Sequence, residues 1–157
     1  MAYSQVGELV EMIRKFHSEM AELCEDMRDN EDDPRLELIL DHIHYHEKSV
    51  CQALSAYQDD DSADGLLNTW LQYTSTDELK RTLRGAIEEV DTNEELTAEK
   101  LIEVMMKVDQ RLLEFYKQGR EESSVPRVKE FFDSLVQLVE GKEHDFAKGV
   151  LELRDGQ

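Results

Sequence analysis

PRLELILDHIHYHEKSVCQALSAY, residues 34–57, places Leu36, Leu40, Ile43, Glu47, Val50, Leu54 and Tyr57 at spacings of 4, 3, 4, 3, 4 and 3. A stripe of that period lines one face of a helix and packs against neighbouring helices at a shallow angle. Asp33 before it has the side chain of an N-cap, and Pro34 suits the first helical position, where a missing N–H costs nothing. The acidic run Asp59-Asp60-Asp61-Ser62 closes the helix. One residue breaks the seam. Glu47 stands between Ile43 and Val50, and a carboxylate among apolar neighbours is costly unless it is paired, protonated or bound to a cation. It reads either as a residue at the bundle rim or as a metal ligand or proton-handling group.

The flanking sequence repeats the helical pattern. Val6, Leu9, Ile13, Phe16, Met20, Leu23 and Met27 predict a first helix over about 4–27, with His17 as a half-buried packing residue. Leu101, Met105, Val108, Leu112 and Phe115 predict a third, capped by Thr97 and fraying near Gly119. Val128, Phe131, Phe132, Leu135, Leu138 and Val139 begin a fourth, over about 125–153, whose apolar face is interrupted by Glu140-Gly141-Lys142-Glu143-His144-Asp145. Gly141 inside a helix asks for a reason such as a close helix contact or a pocket. Short turns make antiparallel pairs, so the chain reads as two helical hairpins joined by a crossover over about 59–97. A bare connection of that length is implausible, and helical pieces are expected around Leu66–Tyr73 and from Asp77 to Val90, the latter capped by Thr76. Trp70, Leu71 and Tyr73 are expected to be exposed together, covering one end of the bundle or forming a two-fold interface, and a homodimer is the favoured expectation.

Composition narrows the function classes. Lys and Arg total 18 against 37 Asp and Glu, a formal net charge of −19 over 157 residues. That argues against nucleic-acid binding, which is built on positive charge, and against an anionic membrane surface. No run of about 18 apolar residues is present. Glu8 and Glu11 fall where a signal peptide would carry its apolar block, so the expected location is cytoplasmic. Cys24 and Cys51, without a CxxC, predict a partly buried thiol pair rather than a zinc ribbon or disulfide framework. No phosphate loop, nucleophile elbow or H-E-x-x-H occurs.

Chemistry-bearing residues cluster on the helices. His42, His44 and His46 crowd the second helix; His44 lies three residues before Glu47, while His42 and His46 are four apart on one face, a spacing that suits a metal. On that helix, two of the three must point outward or sideways. Asp109 sits between Met105 and Leu112 and flanks a core stripe, either pairing with Arg111, Lys107 or a base on another helix, or serving a site.

These residues resemble the rubrerythrin/ferritin-like superfamily. Asp109 followed by Phe115-Tyr116 is similar to the family's Glu and Phe-Tyr pair, and Phe16-His17-Ser-Glu-Met20-Ala21 to its Phe-Tyr-x-x-Leu-Ala. Residues 46–54 and 141–147 resemble the family's Glu-x-x-His segments. Phe16 and Phe115 are 99 positions apart, and Glu47 and Gly141 are 94 apart, so the hairpins look like a diverged internal repeat. The resemblance implies an all-α, ferritin-like four-helix bundle forming one domain over residues 1–157. It also implies a di-iron site of two Glu and two Glu-x-x-His pairs. Carried over residue by residue, only Glu47, Asp109 and His144 remain as metal ligands; Val50 stands at a His position, Gly141 at a Glu position and Val10 at another. The expectation is a degenerate metal site in a non-catalytic acidic interaction or assembly protein without a cofactor. The rival is a metalloprotein that uses iron or manganese to handle iron, oxygen or peroxide. In the first case Glu47, Asp109 and His144 should converge inside the bundle, with His144 neutralising a carboxylate.

Overall fold

A computed structural model describes residues 4–59, 64–71, 76–91 and 96–155, with the side chains of Asp64 and residues 142–155 outside the description. Helix is the only extended regular structure among the described residues, in the order α1 Val6–Asp29, α2 Pro34–Asp59, α3 Asp64–Leu67, α4 Asp77–Asp91, α5 Ala98–Glu122 and α6 Pro126–Asp155. The caps are local chemistry. The Asp33 carboxylate accepts from the Arg35 N–H at 3.0 Å, and the Thr97 hydroxyl accepts from the Lys100 N–H at 3.2 Å. Each satisfies a backbone donor that the first helical turn leaves without an intrahelical acceptor.

α1 lies along α2 and α5 along α6, and α2 carries the contact between the two hairpins, touching both α5 and α6. α3 sits on α1 and α4 on α5. The buried apolar residues of all six helices join in one cluster. The α2 stripe is buried as its spacing requires, at Leu40, Ile43, Glu47, Val50 and Leu54, with Leu36 and Tyr57 half-buried at its ends. An edge-on contact of Tyr57 with Phe131, ring centres 5.2 Å apart, ties α2 to α6.

Two glycine expectations are corrected. α5 does not fray at Gly119 but continues to Glu122. A Cβ on Gly119 would stand 2.6 Å from the Phe132 ring, so the residue is glycine because α6 lays an aromatic face against the α5 backbone. Gly141 has no such reason among the described residues: it is exposed, and nothing lies within 4 Å of a Cβ built there. α6 runs unbroken through the polar segment that contains it.

The crossover is held by the start of the chain. Gln5 and Trp70 form an isolated antiparallel bridge, in which the Val6 N–H donates to the Thr69 carbonyl and the Leu71 N–H to the Ser4 carbonyl, each at 2.9 Å. The Ser4 and Thr76 hydroxyls meet at 2.9 Å in a buried position. Thr76 therefore gives its side chain to Ser4, while its carbonyl accepts from the Lys80 N–H at the start of α4. Gly7 lets α3 approach α1, since a Cβ there would lie 3.1 Å from the Leu67 carbonyl oxygen. Trp70 is 54% exposed, but Leu71 is buried at 3%, because the bridge turns alternate side chains to opposite sides. The expected exposed trio is thus corrected at Leu71, and Tyr73 lies outside the described residues.

Candidate functional site

The α2 seam carries Glu47 into the core, where its exposure is 0%. Ile43 and Val50 flank it one turn away on either side, both buried. A lone carboxylate there would lose its hydration without return. The compensating group comes from α1. His17 is 2% exposed, and its Nδ1 is hydrogen-bonded to Glu47 Oε2. The rim position for Glu47 and the half-buried packing role for His17 are both corrected. The stripe on α1 is broader than its main spacing suggests, and Val10, Ile13, His17, Ala21 and Cys24 form its second edge. Steps of three and four through His17 were the available signal, since they turn the imidazole to the same side as Ile13 and Cys24.

α5 supplies the rest. Asp109 is buried at 9% and Tyr116 at 2%. The two are seven residues apart, so they share a face. Side chains on a helix lean toward its N-terminus, which carries the Tyr116 ring back toward Asp109. Burial above all, and then the negative charges of Asp109 and Glu47, push the Tyr116 phenol far above its usual range. The hydroxyl stays protonated and can only donate or accept a hydrogen bond. The interior therefore holds an imidazole, a carboxylate and a phenol from three helices, none more than 2% exposed, with Asp109 beside them. His17 and Glu47 share a hydrogen bond there, and these described side chains are screened from bulk solvent.

Of the residues singled out in the sequence, Glu47 and Asp109 are both interior and both act on Tyr116. The side chain of His144 lies outside the described residues. Lys107 pairs with Glu103 at 3.0 Å. Of the positions to which the resemblance assigns ligands, Val50 is buried in the seam and offers no donor, and Gly141 is exposed, with no described atom within 4 Å of a Cβ. Among the described residues no three His, Cys, Asp or Glu side chains are grouped to hold a metal ion.

The remaining α2 histidines divide. His44 Nδ1 donates to the Ala21 carbonyl on α1 at 2.8 Å. His42 and His46 meet through their Nε2 atoms at 3.0 Å. Cys51, half-buried, donates through Sγ to the Arg14 carbonyl at 3.4 Å, and Cys24 is buried in the core cluster. No described helix is long and apolar enough to cross a membrane.

Comparison with family models, with curated proteins and with solved structures found no match to this chain.

Proposed function

We propose that this chain is a ferritin-like four-helix bundle whose metal site has degenerated, and that it acts without catalysis as an acidic interaction or assembly protein. The observation that supports this most is the His17–Glu47 pair. The carboxylate at the most ligand-like position of the sequence is taken up by an imidazole from α1, in a part of the core closed to solvent. A buried pair of this kind fixes helix register and satisfies both groups. A catalytic centre needs at least one reacting group within reach of its substrate. The net charge of −19 keeps such a bundle soluble and steers it toward cationic surfaces.

Metal analysis of untagged protein, purified without chelators, tests the reading. Iron and manganese well below one equivalent per chain are expected. About two per chain, lost in Glu47→Gln and Asp109→Asn variants, would return the iron, oxygen or peroxide chemistry to first place. The assembly part is tested by light scattering, where the homodimer expected from the sequence gives twice the 18.3 kDa chain mass and a monomer gives 18.3 kDa at every concentration.

A further inference from the structure

The second helix carries a pair of side chains that the buried site does not use. His42 and His46 lie one helical turn apart, half-buried, with ring centres 4.4 Å apart and planes at 80°. Their Nε2 atoms approach to 3.0 Å. Positions i and i+4 are neighbours on a helix, so the backbone of α2 holds the two rings together.

We propose that His42 and His46 form a clip for one borderline transition-metal ion of the Ni²⁺ or Zn²⁺ class, with water completing its coordination. A metal–imidazole bond is about 2.0–2.1 Å long. Two such bonds at a right angle put their nitrogens roughly 2.8–3.0 Å apart, and at a tetrahedral angle roughly 3.3–3.4 Å. The observed 3.0 Å matches the nitrogen separation of the right-angled arrangement, the geometry of neighbouring ligands on tetragonal Ni²⁺, once both rings turn their lone pairs toward a common ion. It reaches the tetrahedral one through a few tenths of an ångström of ring rotation. In the metal-free state one Nε2–H donates to the other Nε2. When the ion binds, the donor ring carries its proton on Nδ1 instead, so a neutral pair takes the metal without net proton release. Half-burial supports the function twice over: the rings are held, and they stay partly accessible to the waters that would fill the coordination sphere. The clip is separate from the interior of the bundle and does not rest on the reading of Glu47 as a former ligand.

Isothermal titration of the full untagged chain with Ni²⁺ tests it, with Mg²⁺ as the probe for adventitious binding to the acidic surface. Mg²⁺ prefers oxygen ligands and should not compete. The expected result is one Ni²⁺ per chain, with affinity reduced at least tenfold in His42→Gln and in His46→Gln and unchanged in His44→Gln. Circular dichroism verifies that each variant is helical, and the two single variants back each other if one does not fold. At Ni²⁺ a hundredfold above Kd the parent's unfolding midpoint should rise by roughly 5–10 °C, and that rise should vanish in both variants. No Ni²⁺ binding to the parent, equal affinity in all three variants, or displacement of Ni²⁺ by Mg²⁺ would each overturn the proposal.

Discussion

His17 and Glu47 are thirty positions apart in sequence, yet the imidazole of the first meets the carboxylate of the second inside the α1–α2 hairpin, both essentially without solvent. Removing either partner takes a buried hydrogen bond from the other. His17→Ala and Glu47→Ala should therefore each cost about 3–5 kcal/mol. Replacing both with apolar residues of similar volume, His17→Leu with Glu47→Met, should recover most of that loss, because it removes the desolvation cost along with the bond. Urea unfolding of the two single variants and the double variant closes the cycle. Strict additivity would mean that the two groups do not interact.

The glycines of α5 and α4 should respond with opposite signs. Gly119→Ala puts a methyl into the Phe132 ring and should destabilise by about 1–3 kcal/mol in spite of the better helix propensity. Gly85, exposed in α4 with no described atom within 4 Å of a Cβ, should gain about 0.5–1 kcal/mol as alanine. Thermal melts of the two variants give the comparison directly. A stabilising Gly119→Ala would show that α6 shifts freely on α5.

Tyr116 should make the protein sensitive to alkali. Its folded pKa lies above the unfolded value of about 10, so above pH 10 the unfolded chain gives up a proton that the folded chain keeps. The folded state then binds more protons, and stability falls as pH rises past 10. Below pH 10 the phenol is protonated in both states and contributes no slope. Tyr116→Phe should flatten this loss. Absorbance near tyrosinate's band should show one of the five tyrosines ionising only as helical ellipticity disappears.

The hydroxyl pair between Ser4 and Thr76 gives a further expectation. Thr76→Val leaves the Ser4 hydroxyl buried without that partner and should cost about 1–3 kcal/mol. Adding Ser4→Ala should restore part of it. Hydrogen exchange at the Val6 and Leu71 amides, which donate across the same junction, should accelerate in the single variant. Unchanged protection would separate the hydroxyls from the bridge.

The helices were legible because their information is periodic. The α2 stripe and the caps at Asp33 and Thr97 each rest on residues within one or two turns of one another. Glu47 was legible as an anomaly for the same reason. Its partner was not, since nothing local distinguishes an imidazole that meets a carboxylate on another helix from one that fills space. Gly119 was misleading: in isolation it weakens a helix, and only the Phe132 ring across the interface gives it a purpose. The junction of Ser4, Gln5 and Val6 with Thr69, Trp70 and Leu71 left no pattern at all, being made of backbone groups that every residue carries.

That junction bears on how the first hairpin finds its alignment. A heptad seam repeats, so two helices sliding past each other by seven residues again bring apolar side chains face to face, about 10.5 Å out of place. The bridge at Gln5 and Trp70 has no such periodicity. Once α1 and α2 have paired correctly, the crossover leaves the end of α2 close to the start of α1, and only the ten or so residues after Asp59 must bend back to close it. After a slip, the same stretch must bridge a distance changed by about 10.5 Å, and a slip that lengthens it makes closing the bridge costlier. Residues 4–6 thus work as a gauge: they close on the crossover at least cost when the two helices are in step.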